Sequence, residues 1–355
     1  MVKPASAKTT VFAALLLCGL LAWAFIGVPW GVYAANFVYL FGVTQGLLAI
    51  VVFLWLLGAR WASSYLVPSG MITLAYAPIA VMAMLGLVQG QSDLFHWVRT
   101  PSHSFWFTSP VFFTRHLVAM ILYYGFACYT LSSHLRDKTQ RPGRLCCLLA
   151  LFVLHQTLIG WDFGMNLSPG WHNTLFAPYF WFGNLYAGLA VLMLMIEGNR
   201  HRLLQTQTWE NMRKLLLVFS IIWIYLGWSQ FITIWYANIP EEVKPLYIRF
   251  SGPFVWPFGL MVCALFLVPF GALLLDRKGE RSLKPILGII LFGIWLERYL
   301  MVIPPLRLLI EEAPGLQGFS VLEGVTTLTF FAAFQLMLSI FRGQIRRSMH
   351  ASPQD

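Results

Sequence analysis

Charged residues are scarce in this chain of 355 residues, of which only 11% are Asp, Glu, Lys or Arg and 58% are hydrophobic. A water-soluble domain usually has about 25% charged residues. The stretches that separate the apolar runs are all short, so they leave no room for a soluble domain. The composition therefore predicts an integral membrane protein and excludes a soluble enzyme.

Motifs for metals and nucleotides are also missing. The chain contains no C-x-x-C pair, although it has five cysteines: Cys18, Cys128, Cys146, Cys147 and Cys263. Zinc and iron–sulfur sites need clustered thiolates, and the phosphate-binding glycine motifs do not occur either. We therefore expect no metal site, no haem attachment and no catalytic residue in this chain. Any electron-carrying cofactor would belong to a partner.

Long apolar runs dominate the sequence. A helix of about 20 residues crosses a hydrocarbon core of about 30 Å, and lipid offers no hydrogen-bond partner to an open backbone. We predict ten membrane-spanning helices at residues 10–28, 36–58, 69–89, 109–132, 144–161, 174–197, 214–236, 250–275, 284–303 and 319–341. The first run follows Lys3 and Lys8, as in a signal peptide, but no small-residue cleavage site comes after it. We therefore expect this helix to be retained.

Two classes of residue near these spans indicate where the spans end and how they pack. Tryptophans such as Trp97 and Trp171 lie near predicted span ends, which is typical of side chains at the membrane interface. Small residues in the sixth run allow close approach of another helix; they are Gly183, Ala187 and Gly188. Both patterns support a bundle of packed spans.

The distribution of basic residues predicts the orientation. Most of the 24 lysines and arginines lie in the N-terminal segment and in the loops on its side. The opposite loops contain only Arg99, Lys244, Arg249 and Arg307. Basic residues favour the cytoplasmic side, so both termini are expected there. The net charge of +10 then suits an anionic leaflet, and no nucleic-acid partner is expected.

Ionisable side chains inside the spans mark candidate sites, because they are costly in lipid unless paired or hydrated. They concentrate in the outer half of the predicted spans, at His116, His155, Asp162, Glu297 and Glu323. Nearby hydroxyl groups could connect them; these belong to Tyr299, Thr326 and Thr327. We predict that this set lines a proton path that is open to the outer side.

A structural interpretation remains open for each of these residues. Arg115 and Arg298 are expected to form structural ion pairs, and Glu297 could simply hold helices together. His116 and His155 lie at similar depth on consecutive spans, which would also suit a haem with two histidine ligands. Buried histidines more often bond to a hydroxyl or carbonyl group, and threonines are ordinary contacts between helices.

A polar corner interrupts two apolar runs at SQFITIWYANIPEEVKPLYIRF, residues 229–250. Two prolines stiffen it, and two adjacent acids give it a negative charge. We predict that it docks an external partner through Trp235, Tyr236, Asn238, Pro240, Glu241, Glu242 and Arg249. The alternative is a rigid turn that only joins two helices.

These stretches resemble a known family. The string SQFITIWYANIPEE, from Ser229 to Glu242, is similar to the hallmark of ActF-like membrane subunits of bacterial alternative complex III. These subunits belong to the NrfD/polysulfide-reductase membrane-anchor superfamily. The resemblance covers roughly residues 105–305, and it includes SPVFFTRHLVAMILYYG, GWDFGMNLSPGWHNTLFAPYFWFG and WLERYLMVIPP. The chain departs from the family in being short at both ends and in having Glu297 where an aspartate is expected.

The resemblance implies an all-α membrane fold with both termini cytoplasmic. Two four-helix bundles, helices 2–5 (about 36–161) and helices 6–9 (about 174–303), would be flanked by helices 1 (10–28) and 10 (319–341). The chain would be a cofactor-free subunit of a respiratory quinol:cytochrome c oxidoreductase in the bacterial inner membrane. It would scaffold extracytoplasmic electron-transfer subunits and conduct protons.

The resemblance also implies partners: a sister NrfD-like subunit, an iron–sulfur protein, a multihaem cytochrome c, lipid and a terminal oxidase. Quinol, haem c and iron–sulfur clusters would lie in those partners. One alternative is a quinol-binding anchor of an iron–sulfur or molybdopterin oxidoreductase, with His116, His155, Asp162 and Glu297 accepting quinol protons. Another is a secondary transporter, although the sequence has no clear inverted repeat.

Overall fold

The computed structural model describes residues 7–100, 104–137, 141–197, 206–276, 282–309 and 320–350. These residues form helices joined by short connections, and no β-strand occurs among them. Nine of the described helices are long and apolar enough to cross a membrane, and the helix nearest the N-terminus is a shorter apolar one. The chain is therefore all-α, with the character of a multi-pass membrane protein.

Ten apolar helices follow one another along the chain. They are α1 (Ala7–Phe25), α2 (Trp30–Leu56), α3 (Leu66–Leu87), α4 (Ser109–Asp137), α5 (Pro142–Gly160), α6 (Phe176–Glu197), α7 (Thr206–Ala237), α8 (Val255–Val262, continued by Cys263–Leu267 and Val268–Leu275), α9 (Lys284–Leu309) and α10 (Val321–His350). Each predicted run overlaps one of these helices. Helices α2 and α7 begin earlier than predicted, and residue 319 of the last run lies outside the described residues.

Helix ends follow from backbone chemistry. Pro142 occupies the first turn of α5, where its missing N–H costs no hydrogen bond. Asn238 has a φ of 49° directly after α7, and this left-handed conformation ends a helix. Pro240 then begins a short helix, Pro240–Tyr247. The corner between α7 and α8 is therefore itself helical.

The helices form two closed rings of four. In the first ring, α2 contacts α3 and α5, and α4 contacts both α3 and α5. In the second ring, α6 contacts α7 and α9, and α8 contacts both α7 and α9. Helices α1 and α10 pack on each other, and α10 also packs on α3. These contacts are those of the described helices, whereas the division into two bundles, the number of membrane crossings and their orientation stay predictions.

Helix α2 lies at the centre of the molecule. It contacts α3, α5, α6, α9 and α10, and nearly all its residues from Val32 to Leu54 are buried. Its crossing with α6 is close because a Cβ atom on Gly46 would overlap the carbonyl group of Asn184, and one on Gly188 would overlap the backbone of Gly46. The close approach predicted from Gly188 is confirmed, and its partner is α2.

Two tryptophans lie elsewhere than predicted. Trp97 is 4% exposed and Trp171 is 1% exposed, so neither belongs to an outward-facing aromatic belt. Trp97 stacks on Phe95, with 5.2 Å between ring centroids, and Trp171 packs edge-on against Phe176 at 5.3 Å. Both rings are core residues, packed against an aromatic neighbour in a connecting segment (Phe95) or at the start of α6 (Phe176).

Candidate functional site

A cavity of about 390 Å³ lies among α6, α7, α8, α9 and the segment that follows α7. Most of its wall is aromatic or aliphatic, as at Trp223, Phe231, Phe258 and Met301. Polar side chains also reach it, from Tyr179, Gln230, Arg249 and Glu297. An apolar cavity with a few convergent polar groups is the usual form of a small-molecule site.

Glu297 is the carboxylate of this cavity and is only 4% exposed. The indole Nε1 of Trp223 donates a 2.9 Å hydrogen bond to its Oε1. The neighbouring Arg298 places Nη1 2.9 Å from its Oε2, and the Tyr179 side chain also interacts with it. The protein itself therefore compensates the Glu297 charge, as a buried carboxylate requires.

Arg298 connects this cavity with the first ring. Its Nη2 donates 3.0 Å hydrogen bonds to the carbonyl of Phe180 and to Oδ1 of Asn184. Asn184 Nδ2 donates to Gln156 Oε1, and Gln156 Nε2 donates to Gln45 Oε1, both at 2.8 Å. A continuous buried polar chain thus runs from α9 through α6 and α5 to α2.

Arg249 lies in the cavity wall rather than on the surface. It is 9% exposed, and its guanidinium carbon lies 4.8 Å from the ring centroid of Trp171 and 5.8 Å from that of Phe176. The side chain is therefore not part of the exposed surface of the corner, and its docking role stays a prediction. The turn Ile248–Phe250 after the short helix carries the side chain inward, where aromatic faces attract it.

A second polar cluster centres on Asp162, which is 1% exposed. Arg115 Nη2 lies 2.6 Å and His116 Nε2 2.9 Å from its Oδ2. Asn166 Nδ2 donates a 3.0 Å hydrogen bond to its Oδ1. Asp162 lies on a π-helical turn, Trp161–Met165, at the end of α5, and such turns are frequent at functional sites. The predicted ion pairs of Arg115 and Arg298 are both present.

His155 lies on α5, seven residues before Asp162. It is 3% exposed, and neither ring nitrogen has a hydrogen-bond partner among the described residues. Its ring packs edge-on against Phe41, with 4.9 Å between centroids. The Nε2 of His116 is already engaged by Asp162, which does not favour the interpretation of His116 and His155 as a haem-ligand pair.

The remaining predicted path residues take part in helix contacts. Glu323 accepts a 2.9 Å hydrogen bond from the Ser320 N–H, and Ser320 Oγ accepts one from the Glu323 N–H, which forms a capping box. Thr326 accepts from Trp23 and Thr327 from Asn36, both at 3.0 Å. Tyr299 is buried against Trp295, with 5.8 Å between ring centroids.

The corner between α7 and α8 is exposed in part. Trp235 is 65% and Tyr236 86% exposed, Asn238 and Pro240 are also exposed, and Glu242 is half-buried. The side chain of Glu241 lies outside the described residues. The corner therefore presents aromatic side chains outward, at the position where a partner was predicted.

The sequence-based predictions missed the amide side chains that link the rings: Gln45, Gln156 and Asn184. These amides carry no charge and so stand out less in an apolar run than ionisable groups, although any hydrogen-bonding side chain there is informative. Among the described residues, no group of three or more His, Cys, Asp or Glu side chains could hold a metal ion.

Comparison with known proteins finds no family model that matches the chain and no matching curated protein. The site is therefore interpreted from its own chemistry.

Proposed function

We propose that the chain is a membrane subunit of a quinol-oxidising respiratory complex and that the cavity among α6–α9 binds the quinol headgroup. The observation that supports this proposal is the apolar cavity of about 390 Å³ with a buried carboxylate and a buried guanidinium group in its wall. A quinone ring is flat and apolar, and its two oxygens need only a few polar partners.

The lining of the cavity suits a ligand that arrives from the bilayer. Trp228 lines the cavity and is 57% exposed, so the wall on the α7 side reaches the outer face of the bundle. An isoprenoid tail could remain in lipid there while the headgroup lies near Glu297 and Arg249.

Electrons from the quinol would leave through partner subunits. The proposed partners are an iron–sulfur protein, a multihaem cytochrome c and a sister membrane subunit in the bacterial inner membrane. The exposed corner at Trp235 and Tyr236 offers them a contact surface. This assignment rests on the resemblance of that corner to alternative complex III subunits.

A second candidate function has an observation of its own. Asp162 brings Arg115 and His116 together in a buried cluster, and His155 has no partner among the described residues. Such groups exchange protons when water reaches them. In this case the subunit would hold no quinol and would contribute scaffolding and proton conduction. Measuring proton uptake separately from quinol oxidation distinguishes the two functions.

The quinol site is tested with Glu297→Gln in the purified protein. We expect wild-type protein to bind a short-chain quinone with quenching of tryptophan fluorescence, because Trp223 and Trp228 line the cavity. The substitution should weaken binding of this neutral quinone by about tenfold, since it leaves the buried Arg298 beside the cavity without its counter-charge. Glu323→Gln, at a capping-box residue that does not line the cavity, serves as the control. Absence of saturable binding to the wild-type protein would refute the proposal.

A further inference from the structure

Arg249 is an incompletely satisfied cation in the wall of the cavity. It is 9% exposed, and its Nε and Nη2 atoms have no hydrogen-bond partner among the described residues. Buried donors nearly always have a partner. Because Arg249 lines the cavity, a ligand in that cavity is in a position to supply the missing acceptor.

The charge balance of the cavity points to the same ligand property. Glu297 is already paired with Arg298, 2.9 Å away, so this pair is neutral and Arg249 remains as a further positive charge. Burial lowers the pKa of Arg249 to about 10, while Tyr179 and Glu297 oppose this shift. The guanidinium group is thus charged at neutral pH, and an anionic ligand would compensate it.

The aromatic neighbours hold this cation in place before a ligand arrives. Its guanidinium carbon lies over the ring of Trp171 at 4.8 Å, and Trp171 itself is only 1% exposed. A planar guanidinium group held in this way presents its N–H groups as a fixed fork. Hydrogen bonds from such a group to a charged oxygen are short and about twice as strong as those between neutral groups.

We infer that Arg249 holds the cavity's ligand through an oxygen atom that carries negative charge, so that the site prefers an ionised quinol or hydroxyquinone to a neutral quinone. This inference rests on the proposed quinol site and adds the ionisation state of its ligand. Arg249 then determines which headgroup binds, because the charge of Glu297 is already balanced by Arg298.

The experiment compares two short-chain ligands in the full-length purified protein, a neutral naphthoquinone and its 2-hydroxy derivative, whose hydroxyl group ionises below neutral pH. Tryptophan fluorescence quenching gives both dissociation constants. We expect wild-type protein to bind the hydroxy derivative about tenfold or more tightly than the parent, as a charge-assisted hydrogen bond implies. Protonating the hydroxyl group at acidic pH should remove this preference.

Three variants separate charge from hydrogen bonding. Arg249→Gln should lose the preference for the ionised ligand, whereas Arg249→Lys should keep part of it because the point charge remains. Arg60→Gln, at an exposed arginine outside the cavity, should keep all of it. If Arg249→Gln does not fold, the lysine variant and the pH dependence of wild-type binding decide the question.

Failure of the inference differs from failure of the proposed function. If wild-type protein binds both ligands equally, or if Arg249→Gln retains the preference, the role of Arg249 is refuted and the quinol site stands. If neither ligand binds wild-type protein, both proposals fall. Displacement of the ionised ligand by phosphatidylglycerol at equal concentration would assign the anion site to a lipid headgroup and overturn the inference.

Discussion

Asp162 shows how one residue organises its surroundings. Its two carboxylate oxygens accept from Arg115, His116 and Asn166, which lie on α4 and just beyond α5. Because Nε2 of His116 faces this carboxylate, the neutral ring carries its proton on that nitrogen and leaves Nδ1 as the acceptor. The cluster therefore fixes the tautomer of a fully buried histidine.

A substitution at Asp162 tests the proton-conducting function. Asp162→Asn keeps the shape of the side chain but leaves the partly buried Arg115 without its counter-charge, so stability should fall by about 3–5 kcal/mol. His116→Ala removes the titratable ring with less charge imbalance. Quinol oxidation and proton uptake are measured separately with the assembled complex in proteoliposomes, and we expect both variants to lower proton uptake.

Asp93→Asn, at an exposed carboxylate, is the control for these variants. If Asp162→Asn and His116→Ala keep the wild-type ratio of protons to quinol, the cluster is a structural clamp between α4 and α5. In that case the second candidate function is excluded for these residues. The substitutions should then lower the midpoint of thermal unfolding without changing proton uptake.

At the scale of single residues, the sequence predicts which groups are unusual but not which groups meet. Arg115 and Arg298 were recognisable as ion-pair residues because a charge in an apolar run needs a partner. The inward turn of Arg249 was not predictable, since its position follows from the short helix Pro240–Tyr247 and from the packing of Trp171. The pairing of Asn184 with Gln156 likewise depends on the contact between α5 and α6.

Among the helices, the crossing of α2 and α6 depends most on small residues. Gly46 and Gly188 face each other backbone to backbone, and Asn184, one turn before Gly188 on α6, donates to Gln156 at 2.8 Å. Close packing of this kind supports helix association where lipid surrounds the protein. The crossing therefore lies beside the polar chain that links the two rings.

Matched glycine substitutions test this crossing. Gly188→Ala adds a Cβ atom that overlaps the backbone of Gly46, whereas Gly288→Ala on α9 adds one into open space. We expect Gly188→Ala to destabilise the protein by about 1–3 kcal/mol, the usual cost of overpacking. Gly288→Ala should be neutral or slightly stabilising. Thermal unfolding in detergent compares the two, and equal midpoints would contradict a tight crossing.

The sequence predicts the apolar middle of each helix well and the positions of the helix ends less accurately. Runs of hydrophobic residues indicate a helix because backbone in lipid must bond internally. Each predicted run overlaps a described helix, and nine of these helices are long and apolar enough to cross a membrane. The early start of α2 at Trp30 and the π-helical turn Cys263–Leu267 within α8 have no comparable signal. They depend on neighbouring helices rather than on local composition.

Across the whole molecule, the two rings are joined mainly through α2 and α6. Contacts of α2 with α9 and of α5 with α6 complete this junction. The grouping was expected only from the resemblance to a family, because hydropathy identifies apolar helices without showing which of them are neighbours. The junction brings the polar chain from Arg298 to Gln45 across the centre of the protein.

The orientation of the molecule gives a further prediction. The basic loops favour cytoplasmic N- and C-termini, which places residues 237–249 on the outer side. Fusions of alkaline phosphatase should be active after residue 240 and inactive at the C-terminus, and fusions of a fluorescent protein should show the reverse. An active phosphatase at the C-terminus would contradict this orientation and would also move the proposed docking corner to the cytoplasmic side.

The burial of α2 has a consequence for biosynthesis. About 120 residues separate the end of α2 at Leu56 from the start of α6 at Phe176, and at roughly 5–20 residues per second translation of this interval takes about 6–24 s. During that time α2 has to reside in the bilayer without the neighbour that later covers Gly46. The almost wholly apolar sequence of α2 therefore keeps this helix stable in lipid before α6 is made. Polar substitutions on α2 should reduce the yield of inserted protein even where the finished structure would tolerate them.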